Sequence, residues 1–573
     1  MKILGINYGG HDTSASLTIN GKLIAACEEE RYNKEKHTRE FPKLAIKDCL
    51  KIANLKLKDI DLIAFSSDPY LQIREKYLTL ALKDDYRIKV IIDDIDRIKS
   101  VYNTENFLRK KTGFKKKIEF LNHHLCHHAS TFYPSGFKKS LIVSYDGMGE
   151  IHSALFGVGD GNKINIFHDK NKYPNSLGLF YTAITFFLGW RIYCDEGIIM
   201  GLAPYGNSKA KVPGSNKSYI DYFREIIKID KNDPLNYVIN LEWISYHYQR
   251  NTWFSDKFFK LFGKPRKEGS KLTNHHKNIA AALQDRLEEI VITQLKIMKK
   301  KTKTNYLCIS GGVGLNCSLN GKIQSSKLFK KIFIQPASGD AGVSYGACLL
   351  AEQKNNSKFK KIQTNDFYKG YTESKKNIQN SLKKSRLKYT DFKDEIYKKT
   401  AELLQKGKIV AWYQDGAEFG PRALGNRSIL AKPFPVNIKD HINKNVKFRE
   451  YFRPFAPAVL EEKLYEYFDI KQKSPHMLIA CKVKKNKANK IPAVVHVDNS
   501  CRVQSVSKTP NSKFWKLINE FGKLTNIPVV LNTSFNVKGE PIVNDCDDAI
   551  RCFKKYNIDF LVIGTNLVEK LKR

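Results

Sequence analysis

Four stretches of the chain share one pattern, an apolar strand that runs directly into glycines. In MKILGINYGGHDTSASLTINGKLIAACEEERY a strand meets Gly9-Gly10, a second strand follows, and Asn20-Gly21 turns into a third. Asn-Gly between alternating apolar runs is a hairpin signal, because both residues tolerate the left-handed backbone that a tight hairpin needs. SLIVSYDGMGEIHSALFGVG repeats strand, glycine turn and strand around Asp146 to Glu150. NYLCISGGVGLNCSLNGKI and KIFIQPASGDAGVSYGACLLA each pass from a buried-type strand through glycines into a helix. This recurrence predicts a duplicated α/β domain with phosphate-facing turns, two lobes over about residues 1–355.

At 573 residues one core does not suffice, and a second domain is expected. After Ala351 the composition becomes polar and aperiodic, which predicts a linker over 356–370 and a smaller α/β domain over 371–573. Residues 207–277 are polar and lysine-rich, with Pro213, Gly214 and Pro234, and read as an insertion that could serve as a substrate lid. No apolar run reaches the roughly 18 residues of a membrane span. The start, with one Lys and a short apolar run, reads as a strand and not a secretory signal. Eleven scattered cysteines without a CxxC pair point to reduced thiols and a cytoplasmic location.

A net charge of +40 invites a nucleic-acid partner. The lysines, however, are spread along the whole chain, with only short clusters such as Lys115 to Lys117 and no RNA-binding motif or zinc finger. An anionic small substrate suits the charge as well, and nucleic acid is not the expected partner. The informative positive charge is arginine. Only 19 of the 98 basic residues are Arg, yet Arg422, Arg427, Arg449, Arg453 and Arg502 fall close together. The planar guanidinium grips phosphate or carboxylate through two parallel bonds, which Lys does not. With Lys447 and Asn532, these arginines predict a site for a triphosphate and a second phosphorylated substrate. A salt-bridged surface would account for Arg449, beside Glu450, better than for Arg422 and Arg453, each adjacent to proline.

The densest histidine run is Asn122-His123-His124-Leu125-Cys126-His127-His128. Asn122 is a natural N-cap and Pro134 ends the run, so a short helix is predicted. On it His123 and His127 share one face, and His124 and His128 another. Either pair could chelate a metal with Asp146 and Asp340, each set in a glycine-flanked turn after a strand; ordinary hydrogen-bonded histidines are the alternative. A His₂Asp₂ set suits iron, manganese or zinc. His11, in the turn Gly9-Gly10-His11-Asp12, could act as a base near neutral pH. Gly311-Gly312 would let a nucleotide's base or ribose approach the backbone. Neither GxxxxGK[ST] nor GxGxxG is present, which disfavours P-loop kinases and Rossmann dehydrogenases.

The motif series GHDTSASL, EEERYNKEKH, HHLCHHASTFYPSGF, SYDGMGE, SGGVGLNCSLNGK, PASGDAGVSYGA, GAEFGPRALGNRSILA, YFRPFAPAVL and LNTSFNVKGEPIV resembles, in order and over nearly the whole chain, the O-carbamoyltransferases of antibiotic and nodulation-factor biosynthesis. The resemblance implies an actin-like ATPase (sugar kinase–Hsp70) large domain, similar to the tRNA threonylcarbamoyl transferase. It also implies a small domain similar to threonylcarbamoyl-adenylate synthase. The small domain would join carbamoyl phosphate and ATP, the latter with Mg²⁺, into carbamoyl-adenylate. The large domain would transfer the carbamoyl group to a hydroxyl of a small molecule or sugar. Carried over by motif, His123, His127, Asp146 and Asp340 look like metal ligands, with iron the family's usual ion. His11, with Asp12 beside it, looks like the base. Arg422, Lys447, Arg453, Arg502 and Asn532 look like the carbamoyl-phosphate and nucleotide clamp. A tRNA-modifying enzyme and a non-catalytic nucleotide-binding regulator are the competing readings. The acceptor's identity and the oligomeric state are left open, a homodimer being one option.

Overall fold

The computed structural model describes residues 1–82, 86–247 and 252–570, which divide into two units. The first comprises 1–29, 39–316 and 328–364, and the second 30–38, 317–327 and 365–573.

The first unit holds two five-stranded sheets. One is built from β1 (Lys2–Asn7), β2 (Ser14–Ile19), β3 (Lys22–Glu28), β4 (Leu62–Phe65) and β5 (Lys117–Phe120), in the order β3-β2-β1-β4-β5. β1, β2 and β3 form an antiparallel meander, and β4 and β5 add in parallel on the other side of β1. The other sheet contains β6 (Lys139–Tyr145), β7 (Ala154–Asp160) and β8 (Lys163–His168). A short ribbon of β9 (Ile227–Ile229) and β10 (Tyr237–Ile239) intervenes before β11 (Tyr306–Ser310) and β12 (Lys331–Ile334). Its order, β12-β11-β6-β7-β8, reproduces the first with the same directions. This is the duplicated α/β arrangement that the recurring strand–glycine motifs predict, and it accords with the actin-like fold that the family resemblance implies. The central strands are buried almost throughout, as their near-continuous apolar runs require.

The helices Val343–Asn355 and His123–Phe132 pack against each other. Gly346 allows their backbones to meet, since a Cβ there would overlap the Cys126 carbonyl. The 207–277 stretch is not a bare loop. It contributes the helices Tyr219–Ile226 and Asp256–Phe262 and buries Phe223, Trp243, Phe254, Phe258 and Phe262. Its residues 248–251 lie outside the described residues.

The second unit is built on a mixed eight-stranded sheet. Its strands are β13 (Tyr389–Asp391), β14 (Val410–Tyr413), β15 (Arg427–Ala431), β16 (Ala456–Leu460), β20 (Gln504–Val506), β21 (Val529–Ser534), β22 (Phe560–Ile563) and β23 (Asn566–Glu569). They run in the order β13-β23-β22-β14-β15-β21-β16-β20. β17 (Phe468–Asp469), β18 (Ala480–Val483) and β19 (Ser500–Arg502) form a small antiparallel sheet. Amphipathic helices Ile396–Gln405 and Ser512–Thr525 close the core over Trp412, Leu430 and Val530. Among the described residues no helix is long and apolar enough to cross a membrane.

Candidate functional site

Asn122 caps the histidine helix as expected, its side chain accepting the Leu125 N–H at 3.0 Å. The two histidine faces then part ways. His124 bonds Ser144 Oγ through Nδ1 at 2.7 Å and the His152 carbonyl through Nε2 at 2.8 Å. His128 donates from Nε2 to the Leu155 carbonyl at 3.0 Å. Burial holds His124 well below the usual imidazole range and His128 down to about 3, so both are neutral core residues.

His123 and His127 face Asp146 and Asp340. His123 Nε2 lies 3.5 Å from Asp146 Oδ2 and 3.6 Å from Asp340 Oδ1, and His127 Nε2 lies 3.9 Å from each. One ligand-capable atom from each of the four falls within 4.8 Å of all the others. Both Nε2 atoms are buried without a hydrogen-bond partner among the described residues. Unbonded imidazole nitrogens converging on two carboxylates fit a divalent cation. Burial would raise the Asp146 carboxyl, but the neighbouring His123 and His127 imidazoles outweigh that and hold it well below the usual range.

Each element of this cluster has a local cause. Asp146 ends β6, and its Oδ1 accepts the Gly312 N–H at 2.8 Å. Gly311, at φ +87°, packs its Cα side against the Tyr145 backbone, where any Cβ would collide. The close approach expected of Gly311 and Gly312 is thus used, at least in part, by the chain's own Asp146 strand. Ser176 caps the helix Leu177–Phe187 and donates to the Asp146 carbonyl at 3.0 Å and the Gly147 carbonyl at 2.7 Å. Glu150 was quoted in a motif but given no role by the sequence. It accepts the His123 N–H and the Asp68 N–H through Oε1 and the Asn122 amide through Oε2, each at 2.9 Å. It is almost fully buried and fixes the first turn of the histidine helix to the Asp146 turn. Glu150→Gln replaces one acceptor oxygen with a donor that faces other donors. It should weaken divalent-metal affinity by roughly 10–100-fold, measured by competition with a chelating dye. Unchanged affinity would remove Glu150 as the support of the helix.

His11 sits beside this cluster. Its Nδ1 pairs with Asp12 Oδ2 at 2.9 Å, leaving Nε2 as the nitrogen open to a substrate. Asp12 adopts φ +55°, and Asn7 secures the turn by donating to the Asp12 carbonyl at 3.1 Å. Burial lowers His11, but Asp340, Asp12 and Asp146 outweigh it and hold the imidazole up to about 9. A raised pKa makes the folded state bind more protons, so the metal-free protein should lose stability between about pH 6.5 and 9. The imidazolium contribution is complete below that window and gone above it. Thermal melts across the window should show that slope in the wild type and a flatter one in His11→Ala.

The second unit gathers the arginines differently from one another. Arg427, fully buried in β15, donates to the carbonyls of Asn544 (3.2 Å), Asp415 (3.1 Å), Asn426 (3.2 Å), Tyr371 (3.0 Å) and Gln414, and stacks 3.7 Å over Tyr413. It is spent on the chain itself, which corrects its expected place in the oxyanion site. Arg449 bonds Asn443 Oδ1 at 2.7 Å and lies 4.5 Å over Phe455. The Lys447 ammonium is surrounded by oxygens of Ser534 and Asn536 at 2.7–3.2 Å, which ties it to the LNTSFNVKGEPIV loop. Arg422 and Arg502 are the exceptions: the Nε of each is buried with no hydrogen-bond partner among the described residues. Burial, with Arg502 and Arg453 nearby, pushes Arg422 down to about 9. Guanidinium keeps its proton at ordinary pH, so a bound anion would relieve this crowding.

Glu418 organises the loop that carries Arg422. Its Oε1 accepts the N–H groups of Leu424 (2.8 Å), Asn426 (2.8 Å) and Arg427 (3.0 Å), an arrangement the sequence alone did not disclose. Asn532 donates to the Ala423 carbonyl at 3.2 Å and to Gln504 at 3.0 Å, and its Oδ1 is buried without a partner.

Comparison with known proteins follows the same division. Residues 2–349 match the carbamoyltransferase N-terminus model and residues 401–570 the carbamoyltransferase C-terminus model. Nodulation protein NolNO of Sinorhizobium fredii is 35% identical over 98% of this chain and 79% of its own length. Nodulation protein NolO of Bradyrhizobium diazoefficiens is 38% identical over 78% of this chain and 79% of its own. Among solved structures, component A of the Acidaminococcus fermentans (R)-2-hydroxyglutaryl-CoA dehydratase aligns with 62% of this chain and 98% of its own, at 12% identity and a TM-score of 0.33.

Proposed function

The chain belongs to the carbamoyltransferase family and is an enzyme, and from that premise we propose that it is an ATP-dependent O-carbamoyltransferase with one half-reaction in each unit. The reading is carried by two clusters of opposite character, each containing buried side-chain nitrogens without a hydrogen-bond partner among the described residues. One is the imidazole and carboxylate set of His123, His127, Asp146 and Asp340, and the other is the guanidinium set of Arg422 and Arg502 with Arg453 near them.

In the second unit, Arg422, Arg453, Arg502 and Asn532 would hold carbamoyl phosphate and ATP, with Lys447 bracing the loop beside them. The carbamoyl oxygen bonds the α-phosphorus of ATP and pyrophosphate leaves. The phosphoryl group of carbamoyl phosphate passes to water, so the products are carbamoyl-adenylate, pyrophosphate and phosphate. The mixed anhydride activates a carbonyl that nitrogen otherwise deactivates, and the adenosine supplies binding energy for positioning it.

In the first unit, His123, His127, Asp146 and Asp340 would hold a divalent cation, iron in the family's usual form, with manganese or zinc suited to the same donors. When bound it polarises a carbonyl and offsets developing negative charge. The acceptor hydroxyl attacks the carbamoyl carbon, its proton goes to His11 Nε2, which would be neutral once a bound cation offsets the Asp146 and Asp340 charges that raise it, and AMP departs. Asp12 fixes the tautomer by holding Nδ1.

The test is pyrophosphate release from purified protein, ATP–Mg²⁺ and carbamoyl phosphate, with no tRNA present. Release that required tRNA, or that occurred with threonine and bicarbonate but not with carbamoyl phosphate, would put the chain with the tRNA-modifying enzymes instead.

A further inference from the structure

Between the helices Leu177–Phe187 and Glu196–Leu202, the chain makes a tight turn with Tyr193 at φ +59°. A bulky residue in the left-handed region is strained by about 1–3 kcal/mol and persists only where its surroundings hold it. Here they do. Glu196 Oε1 accepts the Tyr193 N–H at 2.8 Å and the Thr182 hydroxyl at 2.8 Å. Thr182 lies on the helix whose N-cap, Ser176, is bonded to the Asp146 turn. A continuous set of contacts thus runs from a candidate metal ligand to the strained residue.

The strain delivers the phenol ring to one place. The Tyr193 ring lies 5.3 Å from the His11 ring, tilted by 32°, and the Trp253 indole lies 6.3 Å from Tyr193 on the same aromatic surface. The ring is only partly buried. A turn with a glycine at this position would satisfy the backbone more cheaply, and no core-packing need explains a half-exposed tyrosine here. Burial raises the phenol, so it stays neutral and can donate one hydrogen bond.

We propose that Tyr193 is the acceptor-positioning residue: its ring is the face on which a ring-shaped, hydroxyl-bearing acceptor lies, so that one hydroxyl meets His11 Nε2. The assignment rests on His11 as the base of the transfer half-reaction. The ligand class is a cyclic polyol with an apolar C–H face, which an aromatic ring binds by stacking while its hydroxyls stay hydrogen-bonded. Acyclic alcohols offer no such face and are disfavoured.

The experiment compares carbamoyl transfer to methyl β-glucopyranoside and to glycerol, with ATP–Mg²⁺ and carbamoyl phosphate, in the wild type, Tyr193→Phe and Tyr193→Gly. The wild type should favour the glucopyranoside in kcat/KM by at least about tenfold. Tyr193→Gly should lose that preference through KM and melt no lower than the wild type, because it relieves the backbone. Tyr193→Phe should keep most of the preference, and pyrophosphate release without acceptor should be unchanged in both variants. A wild type that does not discriminate, or a Tyr193→Gly variant that still does, overturns the proposal. So does an equal fall for both acceptors, which would mark Tyr193 as merely structural. If the wild type releases no pyrophosphate at all, the activating half-reaction itself is refuted, and this assignment falls with it.

Discussion

Replacing His127 with alanine should abolish carbamoyl transfer, by about 10³-fold or more, and leave pyrophosphate release from ATP and carbamoyl phosphate within about twofold of the wild type. The asymmetry follows from where the side chain sits. His127 lies on a buried helix of the first unit, with its Nε2 aimed between two carboxylates and bonded to nothing else. Removing one of four donors costs a divalent cation much of its affinity, and the remaining Asp146 and Asp340 would repel each other more strongly. Metal content by mass spectrometry should fall in step with transfer. His128→Asn is the control, because His128 only donates to a strand carbonyl; that variant should retain metal even if it melts earlier. If His127→Ala kept its metal, or if pyrophosphate release fell with transfer, one half-reaction per unit would be the wrong description.

Arg422→Met should have effects of opposite sign on activity and stability. AMP release should fall by about 10²–10³-fold, as expected when a preorganised cation that meets a transferring phosphate is removed. The free protein should become more stable by about 1 kcal/mol, or roughly 2–4 °C, since the guanidinium is crowded by Arg502 and Arg453 and lies partly outside full solvent screening. Methionine keeps the apolar stem that packs beneath the charge. Inorganic pyrophosphate should stabilise the wild type and do so much less in the variant. A lower melting temperature together with undiminished pyrophosphate binding would show that Arg422 belongs to an ordinary surface network.

Much of the fold was legible because its signals are local. The strand–glycine–strand stretches at Gly9 and Gly147 occupy equivalent positions of two sheets with one topology, and the strand–glycine–helix stretches at Gly311 and Gly339 follow β11 and β12 of the second sheet. The histidine spacing defined two faces, but choosing between them depended on partners 20 to 28 residues away, Ser144, His152 and Leu155, which no local pattern reveals. Glu150 was hidden for the same reason: its three donors come from Asp68, Asn122 and His123. Arg422 and Arg427 share one motif and look alike in sequence. One is in an irregular loop with an unbonded Nε, and the other is sealed in β15 with every donor on a carbonyl. Burial on a central strand, a tertiary property, separates an anion ligand from a structural cation.

The second unit is assembled from three pieces of chain, and this bears on how the protein can be taken apart. Arg31, from 30–38, donates to the Gly420 carbonyl at 2.7 Å, and Lys34 pairs with Asp548. Asn320, from 317–327, donates to the Leu478 carbonyl at 2.9 Å, and Gly321 admits the Ala480 carbonyl where a side chain would not fit. A fragment beginning at residue 365 therefore lacks a helix that its small sheet is packed against and an arginine that its arginine-bearing loop is tied to. Neither a single protease nick nor a simple gene truncation can yield the activating half alone. A contiguous fragment cannot carry the whole second unit, and a split protein would need residues 30–38 and 317–327 grafted onto it before that unit could be expressed by itself.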